Sequence, residues 1–412
     1  MHEDLKVYLK DSLVGWLSHE SAGDEFSFRY TREYLDSPVE GALSFALPLS
    51  DEEYDSRRTY NFFANLLPPR VVRQRLGASL HLSQNNVFGF LKAIGGDCAG
   101  AVSLYPSWAT PIPQDIERIR ELTESEAVEI LKSLKRRPLY AAGEEGYRYS
   151  GAGAQDKLIA RVADGKVLLP LFGTPSTHII KPPADGFEDS VLNEYFCQRL
   201  ALEMGLAASR PSILVLGNER YYVSDRYDRE VVHGRPKRLH QEDFCQLLSF
   251  DPEMKYEEDG GPTFPMCMNV ARKMRLPAKS QLALIDSVIF NFLIGNADAH
   301  AKNISVTYHG GVARFAPMYD LVSTKVYREL SNNMAMKIGE DSSFAKIGRD
   351  SFAKMADDCS VSPKLILSRL DSMAAHIESV AARIAEECRR NWPSEIYGKV
   401  LAVIGEHACK VK

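Results

Sequence analysis

An apolar stripe of Leu282, Ile285, Ile289 and Phe292 recurs at helical spacing and stops at Gly295. A small, polar run follows at once: Gly295-Asn296-Ala297-Asp298-Ala299-His300-Ala301-Lys302-Asn303. A stripe of this kind has to be buried against other elements, and a glycine past its last apolar residue is a helix stop. The chain therefore delivers an acid, an imidazole, a lysine and an amide to one loop at the end of an interior helix. The region beyond residue 240 reads as mainly helical. A further helix is expected to start with Ser362 as N-cap and Pro363 in its first turn, and to repeat Ile366, Leu370, Met373, Ile377, Val380 and Ile384 on one face.

Upstream the pattern is different. Residues 157–162, 177–181, 213–216 and 221–224 are short β-branched runs around one helix, which begins after Ser190, ends at Gly205 and carries Leu192, Phe196, Leu200 and Met204 on one face. Strand, strand, helix, strand, strand is the order of a lobe that covers a nucleotide. The first hundred residues open with strand-like stretches at 6–9 and 26–30, followed by a helical run from Tyr60 to Leu67 that ends at Pro68-Pro69. A proline-punctuated stretch, 105–113, reads as a linker with a boundary near residue 110. Three units are expected: a small N-terminal domain (1–110), a nucleotide-binding lobe (111–230) and a helical lobe (231–412). No internal repeat or low-complexity segment interrupts them.

Composition narrows the function classes. At 412 residues the chain is long enough for two or three domains of roughly 100 to 200 residues each. Lys plus Arg is 50 against 55 for Asp plus Glu, a formal charge of −5, so bulk charge argues against direct nucleic-acid binding. Seven scattered cysteines without CxxC or Cys/His ligand spacing read as reduced thiols of a cytosolic protein. There is no window of about 18 uncharged apolar residues, and Met1-His2-Glu3-Asp4-Leu5-Lys6 lacks an apolar signal segment. A cytoplasmic protein without membrane contact is expected.

Phosphoryl transfer from ATP needs few groups: a carboxylate to orient the attacking hydroxyl, oxygen ligands for Mg2+, a lysine for the phosphates and a cradle of backbone amides. In the 295–303 loop Asp298 is followed five residues later by Asn303, the spacing of a kinase catalytic loop in which the acid accepts the substrate proton and the amide binds metal. Asp320, in Ala316-Pro317-Met318-Tyr319-Asp320-Leu321, is expected at a strand end as the main Mg2+ ligand. Lys181 closes the strand Thr177-His178-Ile179-Ile180-Lys181 and has Glu194 on the following helix as a candidate partner. Ser150-Gly151-Ala152-Gly153-Ala154-Gln155-Asp156-Lys157 is a small-residue run before a strand, where unhindered amides can approach phosphate oxygens. Each has an ordinary alternative when taken singly. Asp298 and His300 can cap a surface loop, Lys181 and Glu194 can form a surface ion pair, and the small-residue run can be a plain turn. All five in the order required by a two-lobed kinase is a stronger signal than any one of them.

These residues resemble the HipA family, the bacterial toxin kinases of HipA and HipB modules, and the resemblance spans nearly the whole chain. It is carried by residues 150–157 and 177–181, Asn193-Glu194-Tyr195, Asp225-Arg226-Tyr227-Asp228-Arg229 and Leu239-His240-Gln241-Glu242-Asp243. Asp259-Gly260-Gly261-Pro262, residues 291–303 and Tyr319-Asp320 complete it. The resemblance implies an α+β, two-lobed protein-kinase-like fold with a small N-terminal α/β subdomain and a mainly helical C-terminal lobe. It implies a serine/threonine protein kinase using ATP and Mg2+, with Asp298 as base and Asn303 and Asp320 on the metal. Lys181 would contact the phosphates, Asp225, Arg226 and Tyr227 would form the hinge at adenine, and Ala152, Gly153, Ala154, Gln155, Asp156 and Lys157 would close over the phosphates. His300, Lys302 and Tyr319 would line the same site. It further implies autophosphorylation at Ser150 and a HipB-like helix-turn-helix antitoxin that brings the pair to operator DNA. The implied target is an aminoacyl-tRNA synthetase, of the glutamyl type. The family commonly has glycine where Ala299 stands, which would strain the loop if that position needs φ > 0, and glutamate is frequent at the place of Asp225. The competing readings are a catalytically weak or inert co-repressor subunit and a small-molecule kinase of related fold.

Overall fold

The computed structural model describes residues 2–112 and 116–412. Pro113, the last residue of the expected linker, lies outside them. The chain divides into two compact units, one of Met1–Pro182, Leu214–Glu253 and Thr307–Val312, the other of Pro183–Ile213, Met254–Val306 and Ala313–Lys412.

The first unit contains two sheets. In the four-stranded one, Glu25–Tyr30, Ser12–Glu20, His2–Leu9 and Val102–Pro106 lie in that order, with Leu5, Val7 and Leu9 alternating into the core. The strand Ser12–Glu20 was not anticipated. Gly15 lets it approach its neighbour closely, since a Cβ there would meet the carbonyl oxygen of Arg29 at 2.4 Å. The proline-punctuated stretch is partly structured, because Tyr105 and Pro106 pair with Lys6 and Leu5 at the sheet edge, where the missing N–H of proline costs no ladder bond. The helix expected at 60–67 spans Ser56–Ala64 instead. The side chain of Asp55 caps it by accepting from the Arg58 amide. Beyond its end, the Nδ2 of Asn65 donates to the carbonyls of Asn61 and Phe250 at 2.6 and 2.9 Å, which holds the chain in a turn.

The second sheet runs Ile119–Glu121, Lys166–Pro170, Leu158–Ala163, His178–Lys181, Glu219–Asp225 and Pro211–Leu216. Lys166–Pro170 was missed, although Asp164-Gly165 marked it. Both residues have positive φ, 50° and 75°, and they close a two-residue hairpin between Ala163 and Lys166. One apolar core extends from Leu5 to Val223 through both sheets.

Within this core lies a cluster of buried charges. Asp97, fully buried, accepts from Arg229 Nη2, Arg238 Nε and Ser176 Oγ, each at 2.7 Å, with Arg226 Nη1 at 3.4 Å. Asp228 pairs with Arg226 and Arg229 at 2.7 and 3.0 Å. Burial alone would raise the pKa of Asp97, yet the guanidiniums of Arg229, Arg238 and Arg226 outweigh it and hold the carboxyl below the usual range.

The second unit is mainly helical. Its helices are Ser190–Glu203, Phe264–Lys273, Ala278–Leu293, Arg349–Asp358, Pro363–Asn391 and Ile396–Val411. The stripe of Ala278–Leu293 is buried at Ile285, Ile289 and Phe292. Ser362 occupies the N-cap of Pro363–Asn391 without a side-chain capping bond, and the buried face passes through Ala381 where Val380 was expected. No helix among the described residues is long and apolar enough to cross a membrane.

Candidate active site

The loop that follows Ala278–Leu293 is fixed before any functional group is placed. Gly295 adopts φ +69°, and a Cβ there would stand 2.6 Å from Val403 Cγ1, so both conformation and space require glycine. Asn296 then acts as a bracket. Its Nδ2 donates to Asn291 Oδ1 at 2.8 Å and its Oδ1 accepts from the Asp298 amide at 3.0 Å. Thr324 Oγ1 accepts from the Ala297 amide at 2.7 Å and donates to the Gly295 carbonyl at 3.1 Å. The loop is thereby held from both flanks.

Asn303 closes it, its Nδ2 donating to the Asp298 carbonyl at 2.9 Å. That bond directs the amide nitrogen inward and leaves Oδ1 as the oxygen available to a cation. Asp320 sits in the left-handed region with φ 56°, a conformation that costs energy for a non-glycine residue and is found at sites that use it. The strand expected at 316–321 is absent; only Met318 makes an isolated bridge, to Ala208. What tethers Asp320 is its neighbour Tyr319, whose hydroxyl donates to the Lys302 carbonyl at 2.6 Å and lies 2.7 Å from Ser305 Oγ. Tyr319 thus uses its hydroxyl to join the two loops.

Residues outside the expected set complete the arrangement. Tyr256 donates to Asp298 Oδ1 at 2.5 Å, and Lys255 Nζ lies 2.8 Å from His300 Nε2. The hydroxyl of Tyr256 has its pKa raised, by burial first and then by the charge of Asp298, with Asp320 acting in the same direction. His300 is buried and has its pKa lowered to about 3 by that burial and then by Lys255, while Asp320 pulls the other way. It is a neutral imidazole at physiological pH. The carboxylates at 298 and 320 thus both act on the Tyr256 hydroxyl. Ala299 has no positive φ, so the alanine imposes no backbone strain where the family commonly has glycine.

The other expected residues belong to the first unit. Ser150 Oγ is buried and donates to the Leu66 carbonyl, and its amide donates to the Asp97 carbonyl at 3.0 Å. Lys157 Nζ donates to the Ala152 carbonyl across the loop, at a point where a Cβ on Gly153, φ +98°, would stand 2.6 Å from it. Gln155 Nε2 reaches the Pro182 carbonyl at 3.4 Å, and Asp156 pairs with Arg75 at 2.9 Å. Lys181 lies 5.5 Å from the ring centroid of its cross-strand neighbour Tyr222. Asp225 is half exposed, 3.4 Å from His178, and the Tyr227 hydroxyl donates to Gln241 Oε1 at 2.7 Å. The Arg226 side chain is taken up by the Asp97 and Asp228 cluster, and its amide donates to the Thr177 carbonyl at 2.8 Å. Glu194 lies in the helix Ser190–Glu203 of the second unit.

Among the described residues no cluster of three or more His, Cys, Asp or Glu side chains could hold a metal ion. Asn303 and Asp320 nevertheless suit a hard cation that keeps its waters and takes few protein oxygens. A held loop that carries a carboxylate and an amide, with a second carboxylate acting on the same tyrosine, suits the protein-kinase-like class of phosphotransferases.

Residues 5–105 match the family model described as HipA N-terminal domain, and residues 149–392 match that of the HipA-like C-terminal domain. The chain belongs to the HipA family of serine/threonine kinase toxins. Over 394 residues it is 30% identical to the serine/threonine-protein kinase toxin HipA of Shewanella oneidensis, covering 92% of this chain and 89% of that protein. Y4mE of Sinorhizobium fredii, whose name gives it only provisionally as a kinase, is 38% identical over 388 residues, 93% of this chain and 92% of that one. The HipA of Shewanella oneidensis MR-1, solved with HipB and its operator DNA, superposes with a TM-score of 0.84 at 28% identity. That match covers 98% of this chain and 97% of the other.

Proposed function

We propose that this chain transfers the γ-phosphate of ATP to a protein serine or threonine hydroxyl, with Asp298 as the base that orients the acceptor. The observation that carries this is the loop that holds Asp298, closed by Asn303 bonding to the Asp298 carbonyl at 2.9 Å and joined to the Asp320 segment by Tyr319 bonding to the Lys302 carbonyl at 2.6 Å. Asn303 Oδ1 and Asp320 would hold Mg2+, which when bound neutralises charge on the phosphates. Lys181 would meet the phosphates and residues 152–157 would cover them, with Lys157 turning from the Ala152 carbonyl to an oxygen of ATP. The backbone at 225–227 would meet adenine, and His300, Lys302 and Tyr319 would line the transfer site. The three-domain division at residues 110 and 230 is part of this reading.

Ser150 is proposed as an autophosphorylation site, and its surroundings set a condition on that. Its hydroxyl faces the Leu66 carbonyl in a buried position, where a phosphate dianion would be desolvated and repelled. Modification therefore requires the 150–157 segment to leave its seat, which would switch the enzyme off. A HipB-like helix-turn-helix antitoxin, operator DNA reached through it, and an aminoacyl-tRNA synthetase target of glutamyl type complete the proposal. The partnership is supported by the assembly that the Shewanella HipA makes with HipB and its operator.

The test is incubation of wild type and Asp298→Ala with labelled Mg·ATP and a bacterial extract. Label transfer to serine or threonine that drops at least about a hundredfold in the variant is expected for loss of a positioned base. Equal transfer by both proteins would refute the assignment.

A further inference from the structure

The helix Ile396–Val411 has no part in the reading above, yet one of its side chains reaches the point from which the loop at 295–303 departs. Its buried face is apolar at Val400, Val403, Ile404, Ala408 and Val411, and His407, fully buried, interrupts it. Nδ1 of His407 donates to the Phe292 carbonyl at 2.7 Å. The imidazole stacks on the rings of Phe292 and Phe344, in each case with centroids 4.9 Å apart. Burial lowers its pKa to about 4, so the ring is neutral at physiological pH. Nε2 is then a bare acceptor, and it has no hydrogen-bond partner among the described residues.

Packing alone does not account for a histidine at this place. A phenylalanine would stack as well on the two rings and would bury no unpaired nitrogen, which weakens a fold. Nor is the bond needed to satisfy the carbonyl, because Phe292 already accepts from the Gly295 amide at 3.0 Å. What the imidazole adds is a fixed donor, brought from 115 positions away onto the last turn of Ala278–Leu293. The same helix crowds the residue that opens the loop, since a Cβ on Gly295 would stand 2.6 Å from Val403 Cγ1 and 3.4 Å from His407 Cε1. Glu406 faces Lys325 at 3.9 Å, and the Lys325 amide donates to the Gly295 carbonyl at 3.0 Å. The start of the loop is therefore held between 324–325 on one side and 403–407 on the other.

We propose that His407 is a positioning residue of the phosphotransfer site: by pinning the Phe292 carbonyl it sets where the chain leaves the helix, and so where Asp298, six residues on, is placed. A displacement of about 1 Å at a reacting group can cost a hundredfold in rate, so a small shift at the root of the loop is enough to slow transfer. The donor therefore serves the reaction, and the two ring contacts serve the fold. The proposal rests on Asp298 being the base.

The experiment measures label transfer from Mg·[γ-32P]ATP to extract proteins, together with Tm, for full-length wild type, His407→Phe, His407→Asn and Asp298→Ala. Phenylalanine keeps both stacking contacts and deletes the donor. Asparagine places an amide N–H near the position of Nδ1 and deletes the ring. Activity is expected to follow the donor and stability the ring. His407→Phe should transfer at about a tenth of the wild-type rate or less while melting at or above the wild-type temperature. His407→Asn should melt roughly 4–12 °C lower, as a truncated buried ring does, yet transfer within about threefold of wild type when assayed well below its Tm. A merely structural role would give the reverse order. His407→Phe at the wild-type rate, or a folded His407→Asn slower than His407→Phe, with Asp298→Ala defective, would overturn the positioning role alone. Wild-type and Asp298→Ala proteins that transfer equally, or not at all, would remove the base and this proposal with it.

Discussion

Replacing Asp97 by alanine tests the account of what holds the first unit together. The wild-type cluster sets two buried carboxylates, Asp97 and Asp228, against three buried guanidiniums, Arg226, Arg229 and Arg238. Without Asp97 the three guanidiniums share one carboxylate, and Arg238 loses its only ion-pair partner recorded among the described residues. Removing one member of a buried pair costs about 3–5 kcal/mol, because the charge left behind stays desolvated. For a unit of roughly 150–250 residues each kcal/mol corresponds to about 2–4 °C, so Tm should fall by roughly 6–20 °C. Calorimetry or circular dichroism at pH 7 measures it. A double variant, Asp97→Ala with Arg238→Met, should lose less than the sum of the single losses, since it removes the stranded charge with its partner. The pH dependence follows from the same cluster. The Asp97 carboxyl is held below its ordinary value of 3.8, so the stability it contributes is present at neutral pH and is lost as pH falls through the acid range. The wild type should therefore lose its advantage over Asp97→Ala on acidification. A variant melting within about 2 °C of wild type at pH 7 would refute this reasoning.

Glu242 provides a prediction of opposite sign. Burial raises its carboxyl to about 7 against 4.5, although Ser44, Tyr308 and the Phe45 amide surround it with donors. A raised acid stabilises the fold below its ordinary value, and that contribution fades as pH rises through about 7. Urea unfolding at pH 5 and pH 8 should show wild type losing up to ~3 kcal/mol that Glu242→Gln does not lose; equal slopes would exclude the raised carboxyl. Arg75 ties the helix Arg70–Leu80 to Asp156 at 2.9 Å and to the Lys135 carbonyl at 3.1 Å. Arg75→Ala should raise KM for ATP severalfold while shifting stability by less than about 1 kcal/mol, because the pair is partly exposed. An unchanged KM would separate that ion pair from nucleotide binding.

The readable part of this molecule is the part encoded between near neighbours. Apolar spacing announced the helices Ala278–Leu293 and Pro363–Asn391, and the ordered set Lys181, Asp298, Asn303 and Asp320 carried the resemblance to the family that the chain proved to belong to. Local signals also existed where they were overlooked, as in the Asp164-Gly165 hairpin. What no local rule contains is which distant side chains meet. Tyr256 reaches Asp298 across 42 positions, Lys255 reaches His300 across 45, and Arg226 pairs with Asp97 across 129. No residue near Arg226 in the chain announces its pairing with Asp97, which only the packing beside it brings about. Periodicity depends on bonds a few residues apart, whereas the orientation of a carboxylate or the fate of a buried charge depends on whatever the folded chain brings alongside.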